Sequence, residues 1–329
     1  MHTRIVGTEG IAEAVAVLRA GGLVAFPTET VYGLGADATN ATACAEIFRV
    51  KGRPADNPLI LHVSGAADLM ALTEGPLPGT AVALTQRFWP GPLTVVVRSN
   101  GRIPALVRAG LDTVAVRAPN HPVAQALIRG LRRPVAAPSA NRSGRPSPTR
   151  AADVLDDLAG RLAIIVDGGM SAAGLESSVV DCTTPQPVLL RPGAIGYERL
   201  RETIPTLAMS GSGTLARSPG MKYRHYAPEA PVVWIRSHDE RFVRHALAAR
   251  GPDVVLIAPD GPWAEAGEVK RIIGLGGTLE EAGRRFYAAL READREHPAA
   301  IVVVWDATGG MGLAISNRLT KASAEMVVP

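Results

Sequence analysis

The stretch GGLVAFPTETVYGLG (21–35) decides how the fold is read. Leu23 to Phe26 is a short apolar run behind a Gly-Gly stop, the pattern of a strand buried on both faces. The next residues crowd together Pro27, Thr28, Glu29, Thr30, Tyr32 and two glycines. Pro fixes φ and Gly permits positive φ, so a turn accounts for those residues. A turn does not need two hydroxyls, a carboxylate and a phenol as well. The segment therefore reads as a core strand that ends at the rim of a crevice and delivers polar side chains there.

Upstream, Ile11, Ala14, Val15, Val17 and Leu18 recur at helical spacing and end at Gly21-Gly22. Downstream, Asn40 is placed to cap a helix through Ile47 and Phe48 to Lys51, and PLILHV gives a strand up to Val63. Helical patterns near 66–72 and 80–88 lead to the strands LTVVVR and TVAVRAP. A helix from His121, a strand PVAAPSAN, a helix near 150–159 and the strands AIIVDG, SSVVD and PVLLRPG follow. Several strands succeed one another without a helix between them, which predicts a mixed twisted sheet with helices, an α/β or α+β layer fold, over residues 1–203. Residues 204–231 are rich in Gly, Ser and Pro and read as a linker, although SPGMKYRHYAP (218–228) carries more chemistry than a spacer requires. Residues 232–329 alternate VVWI, VVLIAP, RIIGLG and AAIVVVWD with helical patterns, predicting a smaller parallel, Rossmann-like α/β domain. GLGG (274–277) and TGGMG (308–312) resemble phosphate loops but have neither a dinucleotide fingerprint nor a Walker lysine.

A chain of 329 residues that is 47% apolar can bury two cores. Its net charge is +4, and its basic residues are almost all arginine, the only lysines being Lys51, Lys222, Lys270 and Lys321. That balance favours an anionic partner such as a nucleotide or nucleic acid. Cys44 and Cys182 stand outside any CxxC or Cys/His pattern, which argues against a disulfide framework or structural zinc and for a reducing compartment. No apolar run approaches the ~18 residues of a membrane span. The expectation is a soluble, cytoplasmic protein without membrane contact.

Polar clusters recur at the expected strand ends, where they can converge on one crevice. KGRPADNPLILH supplies Lys51, Arg53 and Asn57 just before a strand ending at His62. Guanidinium grips phosphate oxygens as a fork and ammonium acts as a point charge, so this pair suits a polyphosphate, while a solvated basic turn is the plainer alternative. In LDTVAVRAP, alternation puts Arg117 on one face with Thr113 and Ala115, opposite Val114 and Val116. A charge inside a strand needs a partner, either a structural carboxylate or that of a ligand. PSANRSGRPSPT presents Ser139, Asn141, Ser143, Ser147 and Thr149 in a loop able to donate to an anion, or merely to cap a helix. GLESSVVD and LLRPGAI add Glu176, Ser177, Ser178, Asp181 and Arg191.

Taken in order, PTETVYGLG, KGRPADNPL, WPGPLT, AVRAPNHP, PSANRSG, ESSVVD, RPGAI, SPGMKYRHYAP and GLAISNRLTKA resemble the threonylcarbamoyl-AMP synthase family in its long, two-domain Sua5 form, with a YrdC-type first domain. Ser178 stands where that family usually has threonine, which keeps the hydroxyl. The resemblance implies an enzyme, a nucleotidyltransferase, that joins L-threonine, bicarbonate or CO2 and ATP into threonylcarbamoyl-adenylate and releases pyrophosphate. A separate complex would then transfer the threonylcarbamoyl group to tRNA. It further implies that Thr30, His62, Arg117, Ser139 and Ser177 contact threonine. Arg53, Asn57, Thr113, Asn141, Thr149 and Arg191 would contact ATP, with Lys51 and Arg53 as the catalytic cations and His225 or Tyr226 covering the nucleotide. Mg2+ is expected with ATP, and no residue is assigned to a metal. The alternative class is a module that binds tRNA or double-stranded RNA through phosphate contacts without this catalysis; a weak direct tRNA contact is compatible with either.

Overall fold

A computed structural model describes residues 2–210, 225–265 and 267–329 of the chain. The first part contains β1 (Arg4–Val6), α1 (Ile11–Arg19), β2 (Val24–Phe26), β3 (Gly33–Asp37), α2 (Ala41–Lys51), β4 (Ile60–His62), α3 (Ala66–Met70), α4 (Gly79–Phe88) and β5 (Leu93–Arg98). It continues with β6 (Thr113–Arg117), α5 (Pro122–Leu131), β7 (Val135–Ala136), α6 (Ala151–Leu158), β8 (Ile164–Val166), β9 (Ser178–Asp181), β10 (Val188–Arg191), α7 (Tyr197–Thr203) and β11 (Ala208–Met209). The second part is β12 (Val232–Ile235), α8 (Glu240–Ala248), β13 (Val254–Ala258), β14 (Arg271–Gly274), α9 (Leu279–Asp294), β15 (Ala300–Val304), α10 (Gly310–Ala322) and β16 (Glu325–Val327).

The first part builds one eleven-stranded sheet in the order β1-β8-β2-β3-β7-β4-β6-β5-β9-β10-β11. Parallel and antiparallel pairs are mixed in it: β4 runs parallel to β6, while β3, β7 and β4 pair antiparallel. β11 pairs with β10 through Val188↔Ala208, so this sheet reaches to Met209. The linker expectation therefore meets a strand at its near end, and its residues 211–224, with Lys222, lie outside the described residues. The second part is an all-parallel five-stranded sheet, β14-β13-β15-β12-β16.

Local sequence explains most element ends. Asn40 caps α2, its side chain accepting from Ala43 N at 3.1 Å. His121 does the same for α5 with Pro122 in the first turn. The expected strand PVAAPSAN shrinks to Val135–Ala136, because Pro134 and Pro138 have no N–H to add to a ladder. Alternation in β6 holds: Val114 and Val116 enter the main core, and Ala115 packs with Ile60 on the opposite face.

The two sheets meet through α9 and α10. Arg291 of α9 pairs with Asp157 of α6 at 2.8 Å, both side chains buried, and donates to Pro146 O at 2.5 Å. Gly174 holds a φ of +69°, and a Cβ there would lie 2.5 Å from Arg284 Cα, so only glycine allows the first part's loop to approach α9 this closely. No helix among the described residues is long and apolar enough to cross a membrane.

Candidate active site

A cavity of about 720 Å3, including its opening to solvent, lies at the ends of β4, β6, β7 and β10 and the start of β9. Its floor begins at the opening stretch of sequence. Thr28 Oγ1 donates to Val31 O at 2.7 Å and sits 2.8 Å from Thr30 Oγ1, a hydroxyl-closed turn. Arg117, brought alongside His62 by the parallel register of β4 and β6, donates from Nη1 to Thr30 Oγ1 at 2.7 Å. Its Nη2 lies 2.6 Å from Glu29 Oε2, so the in-strand charge has a structural carboxylate behind it and remains on the cavity wall in front. Tyr32 points away: its hydroxyl donates to Gly169 O at 2.7 Å. Glu29 and Tyr32 thus orient the loop, and Thr28 and Thr30 line the cavity.

His62 is buried, its Nδ1 has no hydrogen-bond partner, and its ring meets Phe26 edge-on. Burial, reinforced by the charge of Arg117, brings its pKa down to about 3, so the imidazole is neutral at physiological pH. Beside it, Ser177 Oγ lies 2.7 Å from Thr94 Oγ1 and accepts from Arg191 Nη2 at 3.2 Å. Gly193 makes this possible, since a Cβ there would come within 2.3 Å of the Ser177–Ser178 peptide.

Much of the remaining wall is cationic. Lys51 leaves the last turn of α2, which Gly52 closes in the left-handed region at φ 63°, and its Nζ donates to the carbonyls of Ser139, at 2.5 Å, and Asn141. Ser143 N donates back to Lys51 O, so helix end and loop 138–145 are tied together. Arg53 Nε and Nη2 donate to Asn57 O and Pro58 O at 3.2 and 2.9 Å. Burial lowers the pKa of all three cations. Lys51 is pushed well below the usual lysine range, further depressed by Arg53; Arg53 falls to about 10; Arg191 is lowered too. Cations buried this way are stabilised by an anion in their midst.

At the mouth, His225 and Tyr226 close the remaining side. Tyr226 holds φ 68°, uncommon for a non-glycine residue. Its ring packs 5.6 Å from Tyr287 and 5.7 Å from the Arg318 guanidinium, both from the second domain.

Of the residues singled out in the sequence, Thr30, Lys51, Arg53, His62, Arg117, Ser139, Asn141, Ser177, Arg191, His225 and Tyr226 line this one cavity. Asn57, Thr113 and Thr149 are buried but are not among its lining residues. Asn57 Nδ2 and Thr149 Oγ1 lack hydrogen-bond partners, and Thr113 opens the strand that ends at Arg117. Sequence reasoning assigned no role to Arg318, Tyr287 or Arg145. Arg318 was detectable: it falls on the apolar stripe of α10 with Ala314 and Ala322, where a charge demands a buried partner. Among the described residues no cluster of three His, Cys, Asp or Glu side chains could hold a metal ion.

Comparison with known proteins agrees with this arrangement. The Sua5–YciO–YrdC family model, described as "Telomere recombination", matches residues 16–193, and the model "Threonylcarbamoyl-AMP synthase, C-terminal domain" matches residues 195–324. The chain is 43% identical to threonylcarbamoyl-AMP synthase of Pyrococcus abyssi, covering 96% of this chain and 94% of that one. It is 44% identical to the Bacillus subtilis protein of the same name, over 97% and 94% of the two chains. The crystal structure of P. abyssi Sua5 complexed with L-threonine superposes with a TM-score of 0.92 at 40% identity over the full length of both. The chain belongs to the threonylcarbamoyl-AMP synthase family, in its two-domain Sua5 form.

Proposed function

We propose that this enzyme is an L-threonylcarbamoyladenylate synthase, a nucleotidyltransferase that makes threonylcarbamoyl-AMP and pyrophosphate from L-threonine, CO2 or bicarbonate, and ATP. The carrying observation is that Arg117, backed by Glu29 and bonded to the Thr30 hydroxyl, opens into the same cavity as Ser177, Lys51, Arg53 and Arg191. One end suits an amino acid and the other a polyphosphate. The relatives' shared name and the threonine bound in the P. abyssi structure support the same pairing.

In this reading Arg117 takes the threonine carboxylate, and neutral His62 offers its open Nδ1 to the substrate. The neutral threonine amine forms a bond to the carbon of CO2, a C=O π pair moves onto oxygen, and one N–H proton leaves to solvent, giving the carbamate. A carbamate oxygen then bonds to the α-phosphorus of ATP while the bridging P–O bond breaks, and its electron pair leaves with pyrophosphate. Lys51, Arg53 and Arg191 stabilise the charge that builds on the phosphate oxygens and the leaving group. No protein nucleophile is needed, and holding the reactants together is worth about 7–11 kcal/mol. The carbamate loses CO2 readily in water, so a cover carried by His225 and Tyr226 keeps it from solvent. Mg2+ is proposed to accompany the triphosphate, neutralising part of its charge, and no residue of the described chain is assigned to it. Transfer of the product's threonylcarbamoyl group to tRNA is assigned to a separate complex.

The test is pyrophosphate release with threonine, bicarbonate and ATP omitted in turn; release that persists without threonine sinks the proposal. RNA binding that persists without nucleotide and weakens steeply with salt, in the absence of pyrophosphate release, would favour the RNA-binding class instead.

A further inference from the structure

The first domain contributes almost the whole cavity wall, yet its wall residue Glu176 is held largely from outside that domain. The Glu176 carboxylate accepts from Ser147 Oγ at 2.6 Å, from Arg318 Nη2 and Nε at 2.9 and 3.1 Å, and lies 2.9 and 3.0 Å from the Tyr287 hydroxyl. Two of its three donor side chains therefore come from α9 and α10. Arg318 is fully buried and gives a further N–H to Pro192 O. Burial alone would raise the Glu176 pKa, but Arg318 and Arg191, with the Ser147 hydrogen bond, bring it down to about 2. It is a fixed anion at physiological pH.

That anchor reaches the ligand-facing groups by short steps. Glu176 O accepts from Ala194 N at 3.0 Å, and the next residue, Ser177, accepts Arg191 Nη2 on both its carbonyl and its hydroxyl. The same two second-domain side chains support the Tyr226 ring, whose left-handed backbone is kept only by its surroundings. Other contacts already join the domains: Arg291–Asp157, Arg295–Asp156 and Arg145–Asp294.

We infer that the second domain completes the site at its nucleotide end, with Arg318 and Tyr287 as positioning residues that hold Glu176, and through it Arg191 with its threonine-side partner Ser177, and set Tyr226 across the mouth. The inference rests on the proposed synthase reading for the identity of the nucleotide, but its test is a binding measurement that stands without turnover.

Arg318→Met, Tyr287→Phe and the double Glu176→Gln/Arg318→Met are compared in the full chain, with the surface variant Lys270→Ala as control. Calorimetry with a non-hydrolysable ATP analogue gives Kd, the pyrophosphate assay gives KM and kcat, and melting gives Tm. Arg318→Met leaves Glu176 without its main counter-charge, so Tm falls and analogue Kd rises on the order of tenfold or more. The double variant removes both charges: Tm recovers while Kd stays raised, because the Arg318 guanidinium no longer backs the Tyr226 ring and the fixed anion beside Ser177 and Arg191 is gone. Tyr287→Phe removes one hydroxyl and raises Kd by roughly three- to tenfold with little change in Tm. If Kd recovers together with Tm in the double variant, or if Tyr287→Phe binds like wild type, the contacts are structural only and the inference is overturned. Should Arg318→Met not fold, Tyr287→Phe decides alone. A wild-type chain that binds the analogue but releases no threonine-dependent pyrophosphate defeats the synthase reading and leaves the binding comparison legible.

Discussion

The two sheets treat their loop polar groups in opposite ways. In the first, the cavity at the ends of β4, β6, β7 and β10 and the start of β9 keeps polar atoms open: His62 Nδ1 and Asn141 Oδ1 have no hydrogen-bond partner, and burial lowers the pKa of Lys51, Arg53 and Arg191, with Arg53 further depressing Lys51 and Arg191 further depressing Arg53. In the second, the glycine loops that look like phosphate loops are already filled by the chain's own carboxylates. Glu281 Oε2 accepts from Gly277 N and Thr278 N at 3.0 and 3.1 Å, and Glu198 Oε2 accepts from Gly310 N at 3.1 Å. A glycine-rich loop is therefore poor evidence of a site by itself. What marks a site is buried polarity left without partners in a concave wall.

The largest effect that could break this contrast is at Arg117. Arg117→Ala removes the substrate-facing charge and strands Glu29 as a buried carboxylate, so stability falls by about 3–5 kcal/mol. Activity with threonine falls on the order of 100-fold or more. Threonine-dependent pyrophosphate release at wild-type KM in this variant would remove the floor from the substrate site.

Arg53→Ala comes next, with an ATP KM raised on the order of tenfold. Its two hydrogen bonds to the Asn57 and Pro58 carbonyls also brace the loop, so Tm drops modestly. Equal losses of Tm and activity would make Arg53 a brace and nothing more.

A smaller effect concerns protons. Burial and Arg53 hold the Lys51 pKa well below its ordinary value, and a triphosphate favours the ammonium form. ATP binding should then take up a proton at alkaline pH, and affinity should fall as pH rises through the shifted lysine value. Calorimetry in two buffers of different ionisation enthalpy measures this; heats that do not depend on the buffer would show Lys51 fully charged before ATP arrives.

The smallest effect sharpens the contrast from the other side. Glu198→Ala frees Gly310 N–H, yet KM values should stay within about twofold and the ATP analogue should still bind once per chain. A second equivalent would show that the second domain conceals an anion site.

Much of this architecture was legible in the sequence. Alternation in TVAVRAP put Arg117 on the face opposite Val114 and Val116, and Asn40 marked the start of α2. Strand succession without helices gave the mixed sheet, and regular alternation gave the parallel one. The same local logic failed at PVAAPSAN, where prolines on both sides limit pairing to two residues. It also left Glu29 ambiguous, because only the folded chain brings Arg117 from 88 positions further on to within 2.6 Å of its carboxylate.

The sequence by itself determined the element pattern, the division into two α/β parts and the polar residue types that gather at strand ends, since these follow from periodicity, capping and turn chemistry along the chain. Tertiary structure alone decided which of those groups share a wall, that Glu29 and Tyr32 face away from it, and that Arg318 and Tyr287 reach across to Glu176. The physical reason is that burial and partnership are properties of space: a hydrogen bond between residues more than a hundred positions apart leaves no periodic trace in either segment.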